Sequence, residues 1–164
     1  MKTISFKKFL VAFVCLGITT ATLAHNDKGR HTREKTIRKE FNVNADALLK
    51  IDNSYGNLVL SSWNENRVVI EIQITVTGNN EKKVDRKLEE ITVDFDASAS
   101  MVSAKTIFNK GAGWNWRGNN VNMQIDYNVK MPVKNSVNLS NDYGNITLDR
   151  VDGHAKISCD YGRL

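Results

Sequence analysis

Val137-Asn-Leu-Ser-Asn-Asp-Tyr-Gly-Asn-Ile-Thr-Leu148 is a pattern that this chain writes three times. Leu49–Leu60 reads Leu-Lys-Ile-Asp-Asn-Ser-Tyr-Gly-Asn-Leu-Val-Leu, and Ala155–Leu164 reads Ala-Lys-Ile-Ser-Cys-Asp-Tyr-Gly-Arg-Leu. Before each Tyr-Gly pair the side chains alternate with period two, so Val137, Leu139, Asn141 and Tyr143 fall on one face of a strand. Gly144 admits a backbone angle that a Cβ opposes, and the chain bends there. Alternation resumes with Ile146 and Leu148.

Tyr143 and Tyr161 lie 18 residues apart, and self-similarity at a short fixed period marks stacked repeats. The expected fold is all-β: a β-solenoid-like stack of short strands, equivalent residues roughly 4.8 Å apart. Its corners are Asn53, Tyr55 and Gly56, then Asn141, Tyr143 and Gly144, then Cys159, Tyr161 and Gly162. Asn141 is expected next to Cys159, facing inward, where its amide needs the backbone groups of the bend as partners. An antiparallel meander with a bulge or hairpin at each Tyr-Gly pair is the alternative. The third copy stops at Leu164, before the second apolar residue of its template, which predicts that further turns of the stack are missing.

Outside the repeats, Arg67–Thr77 alternates with Ile70, Ile72, Ile74 and Val76 on one face, a strong strand signal. Glu81–Ile91 carries Val84, Leu88 and Ile91 at helical spacing behind an Asn, the one short helix expected, suited to covering an end of the strand stack. Thr36–Val43 reads as an edge strand; Thr92–Phe95, Met101–Phe108 and Val121–Met131 read as further strands, the last closed by Pro132.

Met1–Ala24 joins Lys2, Lys7 and Lys8 to an apolar run ending in Thr22-Leu23-Ala24, the form of a cleavable signal peptide. Residues 1–24 are assigned to it, 25–40 to a charged flexible arm and 41–164 to the strand-repeat domain. The leader implies export to periplasm, outer-membrane surface or medium, with no stable membrane span after cleavage. Setting aside the leader's lysines leaves 20 basic against 18 acidic residues, so the formal +5 gives no electrostatic case for nucleic acid. Cys15 departs with the leader, and Cys159 alone closes no disulfide within the chain. His25, His31 and His154 share no ligand spacing with Cys159, so neither metal nor cofactor is expected.

Asn109–Asn120 is rich in Gly and Asn and holds Trp114, Trp116 and Arg117. In an extended segment the two indoles share a face, fit for stacking on sugar rings, and these three residues form the candidate ligand-contact loop. Ser54, Asp142 and Asp160 occupy one repeat position facing outward; turn chemistry accounts for them better than a calcium ladder does. No ordered nucleophile, phosphate loop or zinc helix motif occurs, so no catalytic residue is assigned.

The order of charged arm, Asp52–Asn57, Trp63 in a polar turn, long Val/Ile strand, Val84–Phe95 and Leu139–Tyr161 resembles the bacterial putative-adhesin domain family, from about Lys35 to the end. The resemblance implies a β-solenoid-like envelope or surface protein without established catalytic residues. The expected function is that of a non-catalytic, adhesin-like binding or scaffold protein contacting a polysaccharide, an envelope component or another protein. An envelope sensor feeding a membrane regulator and a polysaccharide-active enzyme are the alternatives.

Overall fold

Strands built on period-two burial account for most of the chain in the computed structural model, which describes residues 30–109 and 121–164. The signal-peptide assignment and the loop residues Trp114, Trp116 and Arg117 lie outside the described residues. In order, the elements are β1 (His31–Asn42), β2 (Leu48–Tyr55), β3 (Leu58–Trp63), β4 (Arg67–Gly78), α1 (Glu81–Glu90), β5 (Ile91–Ala97), β6 (Met101–Phe108), β7 (Val121–Pro132), β8 (Ser136–Tyr143), β9 (Ile146–Leu148) and β10 (Ala155–Tyr161). They form two mixed five-stranded sheets, β1-β4-β7-β3-β9 and β10-β8-β2-β6-β5.

The three copies of the repeat lie side by side and run the same way. β8 is parallel to β2 on one side and to β10 on the other, with Asn53, Asn141 and Cys159 in one register line and Tyr55, Tyr143 and Tyr161 in the next. Past the bend, β3 pairs in parallel with β9, Leu58 facing Ile146. Tyr55-Gly56 and Tyr143-Gly144 therefore each carry the chain from one sheet to the other, and neither closes an antiparallel hairpin. β6 and β7 add a layer on the far side of β2 and β3, again parallel, with Ile51 opposite Ala104 and Leu60 opposite Val129.

Between the sheets lies the core. Leu49, Ile51, Leu58, Leu60, Ile125, Tyr127, Val129, Val137 and Leu139 are buried, and β4 contributes Ile70, Ile72, Ile74 and Val76, all fully so. Branched side chains on alternating positions fill the space between two pleated faces and leave polar neighbours outside. α1 closes one end. Asn80 accepts from the Lys83 N–H as its N-cap, and Val84 is buried beneath the helix. Arg33 of β1 holds α1 through Glu81 at 2.5 Å and Asp85 at 2.8 Å.

Two expectations need correction. Residues 25–40 are not a flexible arm throughout, because β1 begins at His31 and pairs antiparallel with β4 from end to end. Ile37 and Phe41 pack against the core from this strand while Arg33 answers the helix, so a charged composition coexists with an ordered edge. Tyr143 and Tyr161 share the parity of Asn141 but not its burial, since the bend swings them out of the core to 47% and 68% exposure.

Candidate functional site

The bends converge into columns, one residue type above another. Gly56 and Gly144 hold φ of +119° and +129°, a region that side chains disfavour. A Cβ on Gly144 would stand 1.9 Å from the Gly56 carbonyl oxygen, and one on Gly162 would stand 1.9 Å from that of Gly144. Only glycine lets successive layers approach so closely. Beside this column the Gly56 N–H donates to the Tyr143 carbonyl and the Gly144 N–H to that of Tyr161, at 2.9 and 3.1 Å.

Inside the bend runs a chain of buried polar groups. Asn53 Nδ2 donates to the Ile125 carbonyl and to Asn141 Oδ1, each at 3.1 Å. Asn141 Nδ2 donates to the Gly56 carbonyl at 2.8 Å, and the Cys159 thiol repeats that bond to Gly144 at 3.3 Å. Thr106 donates to Asn53 Oδ1 at 3.0 Å and shares a 2.8 Å bond with the Tyr127 hydroxyl. A buried amide without partners costs more than the bond it forgoes, so this network locks the register. Burial pushes the Tyr127 hydroxyl up to about 12 against the opposing effect of Thr106. Cys159 sits at the sheet edge, half-buried.

Outside the bend stand the aromatic rings. Tyr55 and Tyr143 stack at 5.4 Å, and Tyr143 and Tyr161 at 4.9 Å, with interplanar angles of 8° and 6°. Phe108 at the end of β6 meets Tyr55 edge-on at 5.7 Å. Partial burial, then the neighbouring Tyr143 and Asp142, raise the Tyr55 hydroxyl above its ordinary value. A second outer column ties the layers: Asp126 Oδ1 accepts from Asn57, Asn57 Oδ1 from the Asn145 N–H, and Asn145 Oδ1 from the Arg163 N–H.

On the outer face of the β1-β4-β7-β3-β9 sheet, Trp63 floors a groove of about 510 Å³ with Val59, Val69, Arg38, Arg67 and Lys130. Arg67 lies 4.7 Å from the Trp63 ring centroid and Lys130 Nζ 5.8 Å from it. The indole N–H donates to the Arg67 carbonyl, fixing the ring. Arg67 is held by Glu40 and Glu65, and Arg38 by Glu71. The groove thus offers an aromatic edge, apolar carbons and balanced charges, the mixture that suits a polyhydroxylated ligand.

Of the residues singled out by sequence, the nine corner positions come together in these columns. The Trp114, Trp116 and Arg117 loop lies outside the described residues. Sequence reading missed Thr106, Phe108, Tyr127 and Asp126, which join the columns from β6 and β7, and missed the Trp63 groove. Thr106-Ile-Phe108 does match the polar-x-aromatic part of the corner, but no glycine follows to flag it. Among the described residues no group of three or more His, Cys, Asp or Glu is placed to hold a metal ion, and no helix is long and apolar enough to cross a membrane.

Neither a family model nor a curated protein matches the chain. Among solved structures it is similar to a "putative cell adhesion protein" from Clostridium sporogenes, with a TM-score of 0.45 and 11% identity, over 80% of this chain and 59% of that one. It is also similar to a "putative adhesin" from Bacteroides fragilis (TM-score 0.35, 9% identity, 78% and 60% of the two chains). A third, a "putative adhesin" from Parabacteroides distasonis, gives 0.34 and 8% over 76% and 56%. The chain spans about three fifths of the length of the first of these. All three are bacterial proteins named for adhesion.

Proposed function

We propose that this chain is an exported, non-catalytic binding and scaffold protein of adhesin type, at the bacterial envelope or surface, built as a β-solenoid-like stack. The parallel, in-register pairing of β2, β8 and β10 carries this reading. A backbone that returns to the same register at each layer makes long flat faces and an open edge, surfaces suited to contact rather than to enclosing a reaction. The polar groups buried at the bends are spent on one another and on backbone. Export rests on the leader sequence.

Polysaccharide is the ligand class that suits the Trp63 groove and the Trp114 and Trp116 indoles best, since aromatic carbons beside fixed hydrogen-bonding groups suit polyhydroxylated ligands. A glycan array probed with the wild type, Trp63→Ala and Trp114→Ala/Trp116→Ala tests this. Retention by the wild type and loss in at least one variant is expected; no retention on any envelope glycan overturns the ligand class. Product release from the same glycans with added calcium, abolished by Asp142→Ala, would overturn the non-catalytic reading.

A further inference from the structure

The charges in and around the Trp63 groove balance in sum but not in contact. Glu71 is held by Arg38 at 3.0 Å, while Arg67 takes two carboxylates, Glu40 and Glu65, neither of which lines the groove. Lys130 is left over. Among the described residues no carboxylate stands within ion-pair distance of it, and its Nζ lies 5.8 Å from the Trp63 ring centroid. The lining itself therefore carries Arg38, Arg67 and Lys130 against Glu71 alone.

Register puts the unpaired lysine in the middle of the groove. On the outer face of the sheet, Lys130 of β7 stands between Val69 of β4 and Ser61 of β3. Asn128, two residues earlier on β7, forms the next row with Glu71 and Val59, roughly 6.8 Å along the strands. Trp63, two residues after Ser61 on β3, bounds the lysine on the other side.

We propose that this groove takes an acidic polysaccharide, a chain of uronic acid residues, with a ring carboxylate seated on Lys130. The inference rests on the polysaccharide reading above and deepens it by naming the charge of the sugar. A neutral sugar leaves the ammonium to water, whereas a carboxylate makes a charge-assisted hydrogen bond with it, about twice as strong as a neutral one. Guanidinium forks are the groups that clamp phosphate or sulfate through two bonds at once. Here both forks are engaged by protein carboxylates. What remains is one compact point charge, matched to one carboxylate per ring.

The rest of the lining meets the other parts of such a sugar. Ser61 Oγ donates to the Val129 carbonyl at 3.3 Å and keeps its lone pairs for a hydroxyl donor. The exposed Asn128 amide offers both a donor and an acceptor. Val59, Val69 and the edge of Trp63 supply carbon for the C–H groups of the ring. An acidic polypeptide shares the carboxylate but lacks the ring hydroxyls that Ser61 and Asn128 would bind.

The test uses the whole protein with oligogalacturonate and oligomannuronate, each beside its methyl ester, a neutral counterpart on the same backbone. Binding is followed by titration calorimetry at low ionic strength. At least one acid should bind about tenfold or more tightly than its ester. Lys130→Gln, a change at an exposed position, should remove that preference, and Lys130→Arg should keep it. Equal affinity for acid and ester overturns the inference, as does a preference that survives in Lys130→Gln. Binding of poly-glutamate as tight as that of the uronates, or absence of binding by both acids, overturns it too. Equal affinity for acid and ester would still leave polysaccharide as the ligand class, which falls only if the glycan array retains nothing.

Discussion

The rings of Tyr55 and Tyr143 lie nearly parallel, 8° apart, with centroids separated by 5.4 Å, although β2 and β8 are distant in sequence. That separation is close to the spacing of paired strands, so the rings stack because the backbones pair. Tyr143 is the middle ring and touches both neighbours. Aromatic pairs contribute about 0.5–1.5 kcal/mol each, so Tyr143→Ala should lower stability by roughly 1–3 kcal/mol. Tyr143→Phe keeps both stacks and should shift it by less than about 0.5 kcal/mol. Urea unfolding of the two variants checks this.

Gly144→Ala is expected to be more damaging than its size suggests. The new methyl meets a backbone carbonyl rather than a pliable side chain, and the φ of +129° is hostile to any Cβ. Loss of about 3 kcal/mol or more is expected from strain and overpacking together, read as a lower denaturation midpoint.

Cys159 stands where the two other copies have Asn, and it makes only the weak thiol bond to Gly144. In Cys159→Asn the new amide should donate to that carbonyl and accept the second hydrogen of Asn141 Nδ2, as Asn141 accepts from Asn53. A gain of about 1 kcal/mol is expected. Asn53→Ala, which strips Asn141, Thr106 and the Ile125 carbonyl of a partner, should cost about 3 kcal/mol. Thermal melts of both variants decide the point.

The Asn135 side chain is fully buried, and both its polar atoms lack a protein partner. Ala47 precedes β2 where Asn135 precedes β8, Leu48 being paired with Ser136. Asn135→Ala should therefore be neutral or stabilising by up to about 1 kcal/mol, an unusual result for truncation of a buried residue. A melting temperature several degrees below the wild type would contradict it.

Alkali should unfold the protein through Tyr127. Its hydroxyl is raised by burial from 10.0 to about 12, so between those values the unfolded chain releases a proton that the folded one keeps. Stability is intact below about pH 10 and falls as pH climbs toward 12, by about 2–3 kcal/mol from this residue. Tyr55, raised in the same direction, adds to the loss. Tyr127→Phe should flatten the decline, measured as unfolding free energy against pH from 8 to 12.

Much of this architecture was legible in the residues. Ile70, Ile72, Ile74 and Val76 announce β4 because a strand between two others must bury one face completely. Asn80 and Val84 announce α1 because a cap and an apolar stripe suffice for a surface helix. The start of β1 was hidden, because its Arg33 and Lys35 occupy an edge finished by a charged helix rather than by another sheet. The layer of β6 and β7 was hidden for a different reason: Thr106 and Phe108 keep the corner's chemistry, yet the glycine that makes the motif recognisable is missing. Sequence reading put Trp63 in a polar turn, whereas it is the last residue of β3, and the groove around it depends on Arg67 and Lys130 being delivered by two other strands.

The placement of β6 and β7 outside β2 and β3 governs when this chain can fold. Asn53, hub of the buried network, finds its partners 53 and 88 residues further along, in Thr106 and Asn141. A nascent chain emerging from its N-terminus holds no finished core until β8 has been made, and contacts of such separation slow the rate-limiting step. Delay of that kind keeps a polypeptide loose, with its apolar strands uncovered, for the greater part of its synthesis.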